Sequence, residues 1–170
     1  MTDADRREIH DTVLRYCRAV DRLDYDGIRA VYAADGVDHH TGFSGPADDY
    51  VAWLREVLPR LDGTMHVIGN HLAEVAGDEA VAETYGTAVH WGTPAEDARR
   101  NFATGFRYVD HFVRTPAGWR IRERFAVREW TRSDAGRLLA PEGAGPRGRR
   151  DGSDPLVVMR QAVLGERAAG

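Results

Sequence analysis

The sequence WRIRERFAVREW, residues 119–130, decides the fold. Arginines alternate with apolar or aromatic residues along most of it, and a period of two predicts a β-strand with one buried face. Three similar runs precede it, residues 65–75, 81–91 and 102–113, so the four runs predict an antiparallel meander. The buried face of the last strand is predicted to carry Trp119, Ile121, Glu123, Phe125 and Val127, and the opposite face Arg120, Arg122, Arg124 and Arg128.

The first third of the chain has helical periodicity instead. Apolar residues lie three or four positions apart in a first predicted helix, at Ile9, Val13, Tyr16, Val20 and Leu23. A second helix is predicted over residues 25–35, then a short extended segment over residues 37–40 and a turn over residues 42–46. A third helix follows, with Asp48 or Asp49 as its predicted N-cap.

Helices followed by a run of strands are the order of an α+β domain. We expect three N-terminal helices packed on a strongly curved, mainly antiparallel sheet that encloses a cone-shaped cavity. This domain is predicted to span residues 1–135 and to be followed by a linker and C-terminal tail, residues 136–170. Residues 140–153 are rich in Gly, Pro and Arg and lack an apolar period, as linkers do. Residues 155–164 are apolar enough for a short helix that docks on the domain or on a neighbouring subunit.

Composition places the chain among globular proteins of one domain. It has 170 residues, of which 42% are hydrophobic and 29% charged, and a formal net charge of −4. Nucleic acid is not an expected partner, because binding its phosphates needs clustered Lys and Arg. Cys17 is the single cysteine, so neither an intrachain disulfide nor a thiolate metal site can form within one chain. No run is long enough to cross a bilayer, and we expect a cytoplasmic protein without membrane contact.

Two positions are candidates for acid–base chemistry. Asp21 lies one helical turn after Cys17 and borders the apolar stripe, so it either points inward or caps the turn that follows. His66 lies among apolar residues at the start of the first long strand, where a histidine is either a structural residue or a base. Position alone leaves both alternatives open.

Three pieces of the sequence resemble the SnoaL-like branch of the NTF2-like superfamily. They are the strings Tyr16-Cys17-Arg18-Ala19-Val20-Asp21, Val31-Tyr32-Ala33-Ala34-Asp35 and Thr64-Met65-His66. The similarity of pattern covers roughly residues 5–130. Related members include bile-acid dehydratases, scytalone dehydratase, hexachlorocyclohexane dehydrochlorinase, steroid isomerases and polyketide cyclases. The resemblance implies a cone fold that binds a hydrophobic small molecule.

The resemblance also implies roles for individual residues. In dehydratase and dehydrochlorinase members an Asp near the end of the first helix orients a proton-abstracting His on the first long strand, and Asp21 and His66 match these positions. Some dehydratases add a Tyr in the first helix, matched by Tyr16, whose hydroxyl polarises a carbonyl. A carboxylate-paired His is a competent base near neutral pH, and a phenol stabilises enolate charge. We therefore expect a cofactor-independent lyase, most simply a dehydratase of a steroid, terpenoid or polyketide ring.

Further residues are predicted to bind the substrate or to support the base. The predicted substrate-binding residues are His40, Trp53, Asn70, Trp91, Phe106, Tyr108 and Phe125. Asp110 shares a strand face with Tyr108 and is a predicted hydrogen-bond acceptor for His66 or for an arginine. The alternative interpretation is a solvent-facing turn residue for His40, a cross-strand partner for Tyr108 and Asp110, and plain core for the other aromatic residues. No metal site is expected, because the histidines do not follow a zinc-binding spacing.

Other functions of the same fold stay open. A non-catalytic binding or accessory protein would carry the same residues, and an aldol-type polyketide cyclase makes the same acid–base demands. Isomerases of the superfamily carry a carboxylate base near the position of Asp38-His39-His40, so their pattern is not cleanly kept. Relatives are often dimers or trimers, and we expect a homo-oligomer, a trimer rather than a dimer.

Overall fold

The computed structural model describes residues 2–133 and 148–164. The chain divides into two compact units, residues 1–138 and residues 139–170. The helices described in the first unit are α1 (Asp3–Asp21), α2 (Tyr25–Ala30) and α3 (Ala47–Val57), with a short 3₁₀ turn at Leu58–Arg60. The strands are β1 (Tyr32–His40), β2 (Phe43–Pro46), β3 (Gly63–Ala76), β4 (Glu79–Trp91), β5 (Phe102–Thr115) and β6 (Gly118–Ser133).

The six strands form one sheet in the order β2-β1-β6-β5-β4-β3. Strands β3 to β6 are successive antiparallel neighbours, whereas β1 pairs with β6 in parallel. The helices pack against this curved sheet. The predicted α+β class, with N-terminal helices on a mainly antiparallel sheet, is confirmed.

Helix α1 is fixed to the sheet by contacts of its first turn. It begins with a capping box, in which Asp5 N donates to Thr2 Oγ1 (3.2 Å) and Thr2 N donates to Asp5 Oδ2 (3.1 Å). The indole Nε1 of Trp119 on β6 donates to Asp5 Oδ1 (3.2 Å). The apolar face of the helix, which includes Ile9, is buried. The last turn is thereby placed against the start of β3, where Asp21 ends the helix.

The segment after α1 departs from the predicted pattern. The predicted helix over residues 25–35 was wrong beyond Ala30, where α2 ends. Tyr32 begins β1 because it pairs in parallel register with Ile121 of β6. The predicted turn over residues 42–46 contains all of β2, which pairs antiparallel with β1.

Helix α3 begins without a side-chain cap. Its N-cap is Pro46, so the prediction of Asp48 or Asp49 as the cap was wrong. Asp48 instead accepts a hydrogen bond from Arg29 Nε (2.6 Å). Both aspartates lie in the first turn, where a negative charge interacts favourably with the helix dipole.

A β-bulge reverses the faces of β6 halfway along the strand. Between Ile121 and Glu123 this strand has one residue more than β5, so Arg122 has no partner in the register. The predicted alternation is correct up to Ile121 and wrong after it. Arg124 consequently turns inward and is fully buried, and Phe125 turns outward with 45% of its surface exposed.

The buried charge of Arg124 is paired. Its Nε and Nη2 donate to the two carboxylate oxygens of Asp110 on β5, each over 2.7 Å. The guanidinium carbon also lies 4.3 Å from the ring centre of Tyr16 and 3.9 Å from that of Tyr108. A cation over an aromatic face is stabilised by the ring quadrupole. Arg124 therefore connects α1 with β5 and β6 in the middle of the domain.

The second unit contains helix α4 (Pro155–Leu164), which matches the predicted last helix. The side chain of Asp154 precedes it and accepts from Leu156 N (3.0 Å). Most of the predicted linker, residues 140–147, lies outside the described residues. Docking of α4 on the first unit or on another subunit stays a prediction. None of the described helices combines the length and the apolar composition that crossing a bilayer requires.

We predict that Asp110→Asn destabilises the domain strongly. The change keeps the side-chain shape but leaves the buried guanidinium of Arg124 without a counter-charge, which typically costs about 3–5 kcal/mol. Urea unfolding followed by circular dichroism measures the loss. Asp35→Asn is the matched control, because it removes the exposed partner of Arg122 (2.6 Å) and should change stability little. Equal effects of the two substitutions would contradict the role assigned to Arg124.

Candidate active site

A cavity of about 640 Å³ lies between α1, α3 and the sheet. Its volume is within the range of small-molecule sites, about 300–1,000 Å³. Side chains from α1, α3, β1, β3, β4, β5 and β6 form its wall. Much of the inner wall is apolar, with Val20, Leu54, Val57, Ala88, Phe106 and Ala126.

Asp21 and His66 form a hydrogen-bonded pair at this wall. His66 Nδ1 lies 2.6 Å from Asp21 Oδ1, and His66 N donates to Asp21 Oδ2 (3.0 Å). Thr64 Oγ1 also donates to Asp21 Oδ1 (3.1 Å), so both carboxylate oxygens are held. Because Nδ1 must donate to the carboxylate, the neutral imidazole has its lone pair on Nε2. The side chains of His66 and Asp21 are 9% and 16% exposed, and His66 lines the cavity.

Tyr16 lines the cavity as part of a pair of buried tyrosines. Its hydroxyl lies 2.6 Å from that of Tyr50 on α3, and either oxygen can be the donor. Burial is the largest cause that raises the pKa of Tyr16, and the negative charge of Asp38 adds to it. Tyr16 therefore keeps its proton at neutral pH and acts as a hydrogen-bond donor or acceptor rather than as a phenolate.

A second Asp–His pair lies on β1. His40 Nδ1 is hydrogen-bonded to Asp38 Oδ1, and the fully buried Asp38 also accepts from the hydroxyl of Tyr32 (2.5 Å). The His40 ring stacks on the ring of Tyr50, with centroids 4.9 Å apart, and lines the cavity. The adjacent His39 is not part of the wall and stacks outside on Phe125 (4.4 Å).

The structure separates the predicted substrate-binding residues into two groups. His40, Trp53, Phe106 and Tyr108 line the cavity. The remaining three, Asn70, Trp91 and Phe125, lie outside the cavity lining, so the structure does not bring them to this site.

Each of these three departures has a local cause. Asn70 is exposed at an irregularity in the pairing of β3 with β4, which starts after Ile68. The ring of Trp91 covers Gly63 so closely that a Cβ there would lie 2.1 Å from it. Phe125 faces outward because of the bulge in β6.

Asp110 is hydrogen-bonded to Arg124 rather than to His66. Both of its oxygens accept from the Arg124 guanidinium, which was one of the two partners that the sequence left open. Among residues 2–133 and 148–164, no three His, Cys, Asp or Glu side chains are grouped so that they could hold a metal ion.

His90 is a cavity residue that the sequence did not single out. It lies on β4 opposite Thr64, and its ring is 6.1 Å from that of His66 and stacked on Phe102 (4.2 Å). Burial, with a smaller contribution from His66, lowers the pKa of His90 to about 4. The imidazole is therefore neutral at physiological pH. Only the register of the β3–β4 pairing could have assigned His90 to the face of His66.

The SnoaL-like domain matches residues 2–125 of this chain. The chain belongs to the SnoaL-like family. This membership places it in the NTF2-like superfamily, whose cone fold agrees with the observed sheet and helices. Within the matched residues lie the Asp21–His66 pair, the Asp38–His40 pair and Tyr16.

Relatives of known sequence or structure extend the comparison. An uncharacterized protein of Mycobacterium tuberculosis (strain ATCC 25618 / H37Rv) is 32% identical over 130 residues, which are 74% of this chain and 86% of the relative. The hexachlorocyclohexane dehydrochlorinase LinA type 2 superposes with a TM-score of 0.72 at 17% identity, over 83% of this chain and 96% of its own. A candidate scytalone dehydratase of Novosphingobium aromaticivorans DSM 12444 gives a TM-score of 0.67 at 21% identity, over 82% and 93%. Both structures have the same fold as this chain.

We predict that His90 makes the domain less stable in acid. Its pKa is about 4 in the folded protein and 6.5 as a free group, so the unfolded chain binds the additional proton between these values. The stability contribution is present above pH 6.5 and is lost as the pH falls to about 4. One pKa unit corresponds to about 1.36 kcal/mol, so the loss is roughly 3 kcal/mol.

The variant His90→Phe keeps a stacking ring and removes this titration. Chemical unfolding of both proteins at several pH values gives the difference between their free energies of unfolding. The carboxylates titrate alike in both proteins, so their effect cancels in this difference. The difference should decline as the pH falls from 6.5 to 4, and a constant difference would rule out a neutral buried His90.

Proposed function

We propose that this protein is a cofactor-independent lyase, a dehydratase that removes a proton beside a carbonyl of a hydrophobic ring compound and expels a β-hydroxyl group. The substrate class is a steroid, terpenoid or polyketide ring. The observation that carries the proposal is the Asp21–His66 pair, 2.6 Å apart, at the wall of an apolar cavity that Tyr16 also lines.

In the proposed reaction His66 is the base. Its Nε2 lone pair takes the proton from carbon, and the imidazolium that forms is stabilised by the carboxylate of Asp21. Two further hydrogen bonds to Asp21, from His66 N and Thr64 Oγ1, keep the carboxylate in place without help from the substrate. This arrangement is preorganised, as efficient proton transfer requires.

Tyr16 is proposed to bind the substrate carbonyl. As the electron pair of the broken C–H bond moves onto the carbonyl oxygen, a phenol can donate a hydrogen bond to it. Tyr50 lies within hydrogen-bond distance of Tyr16, so it can accept or donate as the charge develops. The raised pKa of Tyr16 keeps the proton on the phenol during this step.

His40 is proposed to protonate the leaving hydroxyl group. Phe106 and Tyr108 lie between it and His66: Phe106 is 6.0 Å from His66, Tyr108 is 4.4 Å from Phe106, and His40 is 6.1 Å from Tyr108, measured between ring centres. In this step His40 acts in its imidazolium form: the C–O bond breaks, and the leaving oxygen takes the proton from His40 Nε2 and departs as water. Solvent afterwards takes the proton from His66 and returns one to His40.

The comparisons support an elimination in particular. The names of LinA type 2 and of the candidate scytalone dehydratase both describe loss of a small group from a ring compound. Identities of 17% and 21% show a shared fold but not a shared reaction. The elimination reaction is therefore our proposal for this chain. An isomerase is less compatible, because Asp38 is fully buried and bonded to Tyr32 and His40 rather than free to shuttle a proton.

The test is turnover of β-hydroxy carbonyl ring compounds, followed by the ultraviolet absorbance of the conjugated product. We predict that His66→Gln lowers kcat by about 10²–10⁴-fold, the usual contribution of a positioned base. His71→Gln is the matched control, since His71 lies on the same strand and bonds Thr84 (2.8 Å) without lining the cavity. Full activity of His66→Gln would reject the dehydratase. If the unaltered protein binds these compounds without converting them, an accessory protein is favoured. If it closes a ring in a linear substrate instead, a polyketide cyclase is favoured.

We further propose a homotrimer in the cytoplasm. The outer surface of β3 and β4 exposes Met65, Val67 and Tyr85 by 51%, 56% and 45%, and a subunit interface would cover them. A reducing compartment suits the single, buried Cys17.

Multi-angle light scattering tests the subunit number. The unaltered protein should have the mass of a trimer, and Val67→Asp should dissociate it, because the charge would be buried at the interface. Asp49→Asn, on an exposed position of α3, is the control and should not change the mass. A monomer in both proteins would reject the trimer.

A further inference from the structure

We propose that the mouth of the cavity is an anion-binding site, and that the natural substrate carries a carboxylate, phosphate or sulfate group in addition to its apolar ring. The ring would lie in the cavity and the anionic group against four arginines at its mouth, Arg60, Arg99, Arg100 and Arg128. This inference rests on the proposed function in treating the cavity as a substrate site, but binding of the anion does not require turnover.

The four arginines come from three parts of the chain. Arg60 belongs to the 3₁₀ turn after α3, Arg99 and Arg100 to the segment between β4 and β5, and Arg128 to β6. Arg100 Nη1 donates to the carbonyl of Arg60 (2.8 Å), which joins the first two parts. Arg128 lies opposite Phe106 in the sheet, so it is at the border of the apolar wall.

The segment that carries Arg99 and Arg100 is held by a buried asparagine. Asn101 is 2% exposed, and its Nδ2 donates to the carbonyls of Gly92 (2.9 Å), Pro94 (3.0 Å) and Asp97 (3.1 Å). Its Oδ1 accepts from Gly92 N (3.2 Å). The two arginines are therefore presented by a fixed loop, which reduces the entropy cost of binding an anion.

Positive charge dominates this mouth. Among the described lining residues the acidic one is Asp97, whose pKa is lowered first by the hydrogen bond from Arg99 N. It is ionised and forms ion pairs with Arg99 (3.3 Å) and Arg100 (3.6 Å), so its single charge offsets one of the four arginines. The remaining excess of positive charge contrasts with the formal net charge of −4 of the whole chain. It is therefore a local concentration and not a consequence of a basic protein.

Two of the four arginines are available to a ligand. The side chains of Arg60 and Arg128 have no hydrogen bond or ion pair with any residue in the described part of the chain. A guanidinium binds planar or tetrahedral oxyanions through paired N–H groups. The deeper wall, by contrast, carries aromatic and aliphatic side chains. Such a separation of charge from apolar surface fits an amphipathic ligand with the anionic group at one end.

A pair of fluorescent probes tests the inference without knowledge of the substrate. 1-Anilinonaphthalene-8-sulfonate and N-phenyl-1-naphthylamine share a ring system, and only the first carries a sulfonate. We predict that Arg128→Gln weakens binding of the sulfonate by about two- to fivefold, as for a partly exposed ion pair, and leaves the neutral probe unchanged. The double variant Arg99→Gln/Arg128→Gln should lose about tenfold. The preference of the unaltered protein for the sulfonate should fall with added salt, because screening weakens exposed charge interactions.

Controls separate this site from the rest of the proposal. Arg7→Gln removes one positive charge from the exposed face of α1 and should leave both affinities unchanged. His66→Gln should lower turnover but keep the preference for the sulfonate over the neutral probe, so loss of catalysis and loss of anion binding are distinguishable. Retained binding of the neutral probe shows that the cavity of each variant is intact. Equal changes for both probes, no change for either, or no binding of the sulfonate to the unaltered protein would overturn the inference.

Discussion

The buried ion pair between Arg124 and Asp110 is the interaction on which the rest of the domain depends. Removing a cation from water costs several kcal/mol, and a carboxylate at hydrogen-bond distance offsets much of this cost. Asp110 supplies two hydrogen bonds, and the rings of Tyr16 and Tyr108 contact the guanidinium. Because these partners belong to α1 and β5, whereas Arg124 is on β6, one charged group sets the distance between helix and sheet. The height of the cavity beside Tyr16 follows from that distance.

The sequence predicted the regular elements of this fold but not the β-bulge that turns Arg124 towards the core. Four long strands and three N-terminal helices were readable because their periods extend over many residues. The bulge at Arg122 leaves the alternation intact on both sides and changes only its phase. A period of two carries no information about phase, and the apolar character of Phe125 favoured the wrong face. The parallel pairing of β1 was missed for a related reason, since residues such as Tyr32 suit a helix or a strand and only contact with β6 decides.

The part of the candidate site that could be predicted came from the family resemblance, because local sequence patterns do not predict contacts between distant residues. Asp21 and His66 are 45 positions apart, and no spacing rule connects the end of a helix with a distant strand. Their proximity depends on how α1 lies on β3. The resemblance offered only an isomerase carboxylate near Asp38-His39-His40, not a hydrogen-bonded Asp38–His40 pair, and it offered no counterpart for His90. Their placement follows from strand register, such as the pairing of Thr64 with His90, which local sequence does not encode.

In the proposed reaction, Arg124 both holds α1 on the sheet and influences the hydrogen bond that Tyr16 donates. Proton transfer separates charge, and each new charge is stabilised best by a partner that is already in place. The positive charge would form on His66, next to Asp21, and the negative charge on the substrate oxygen beside Tyr16. Burial raises the pKa of Tyr16, and the nearby cation of Arg124 opposes this rise, so it makes the phenol a better donor to a developing enolate. The same guanidinium that holds α1 on the sheet thus favours charge at the one point where the proposed chemistry needs it.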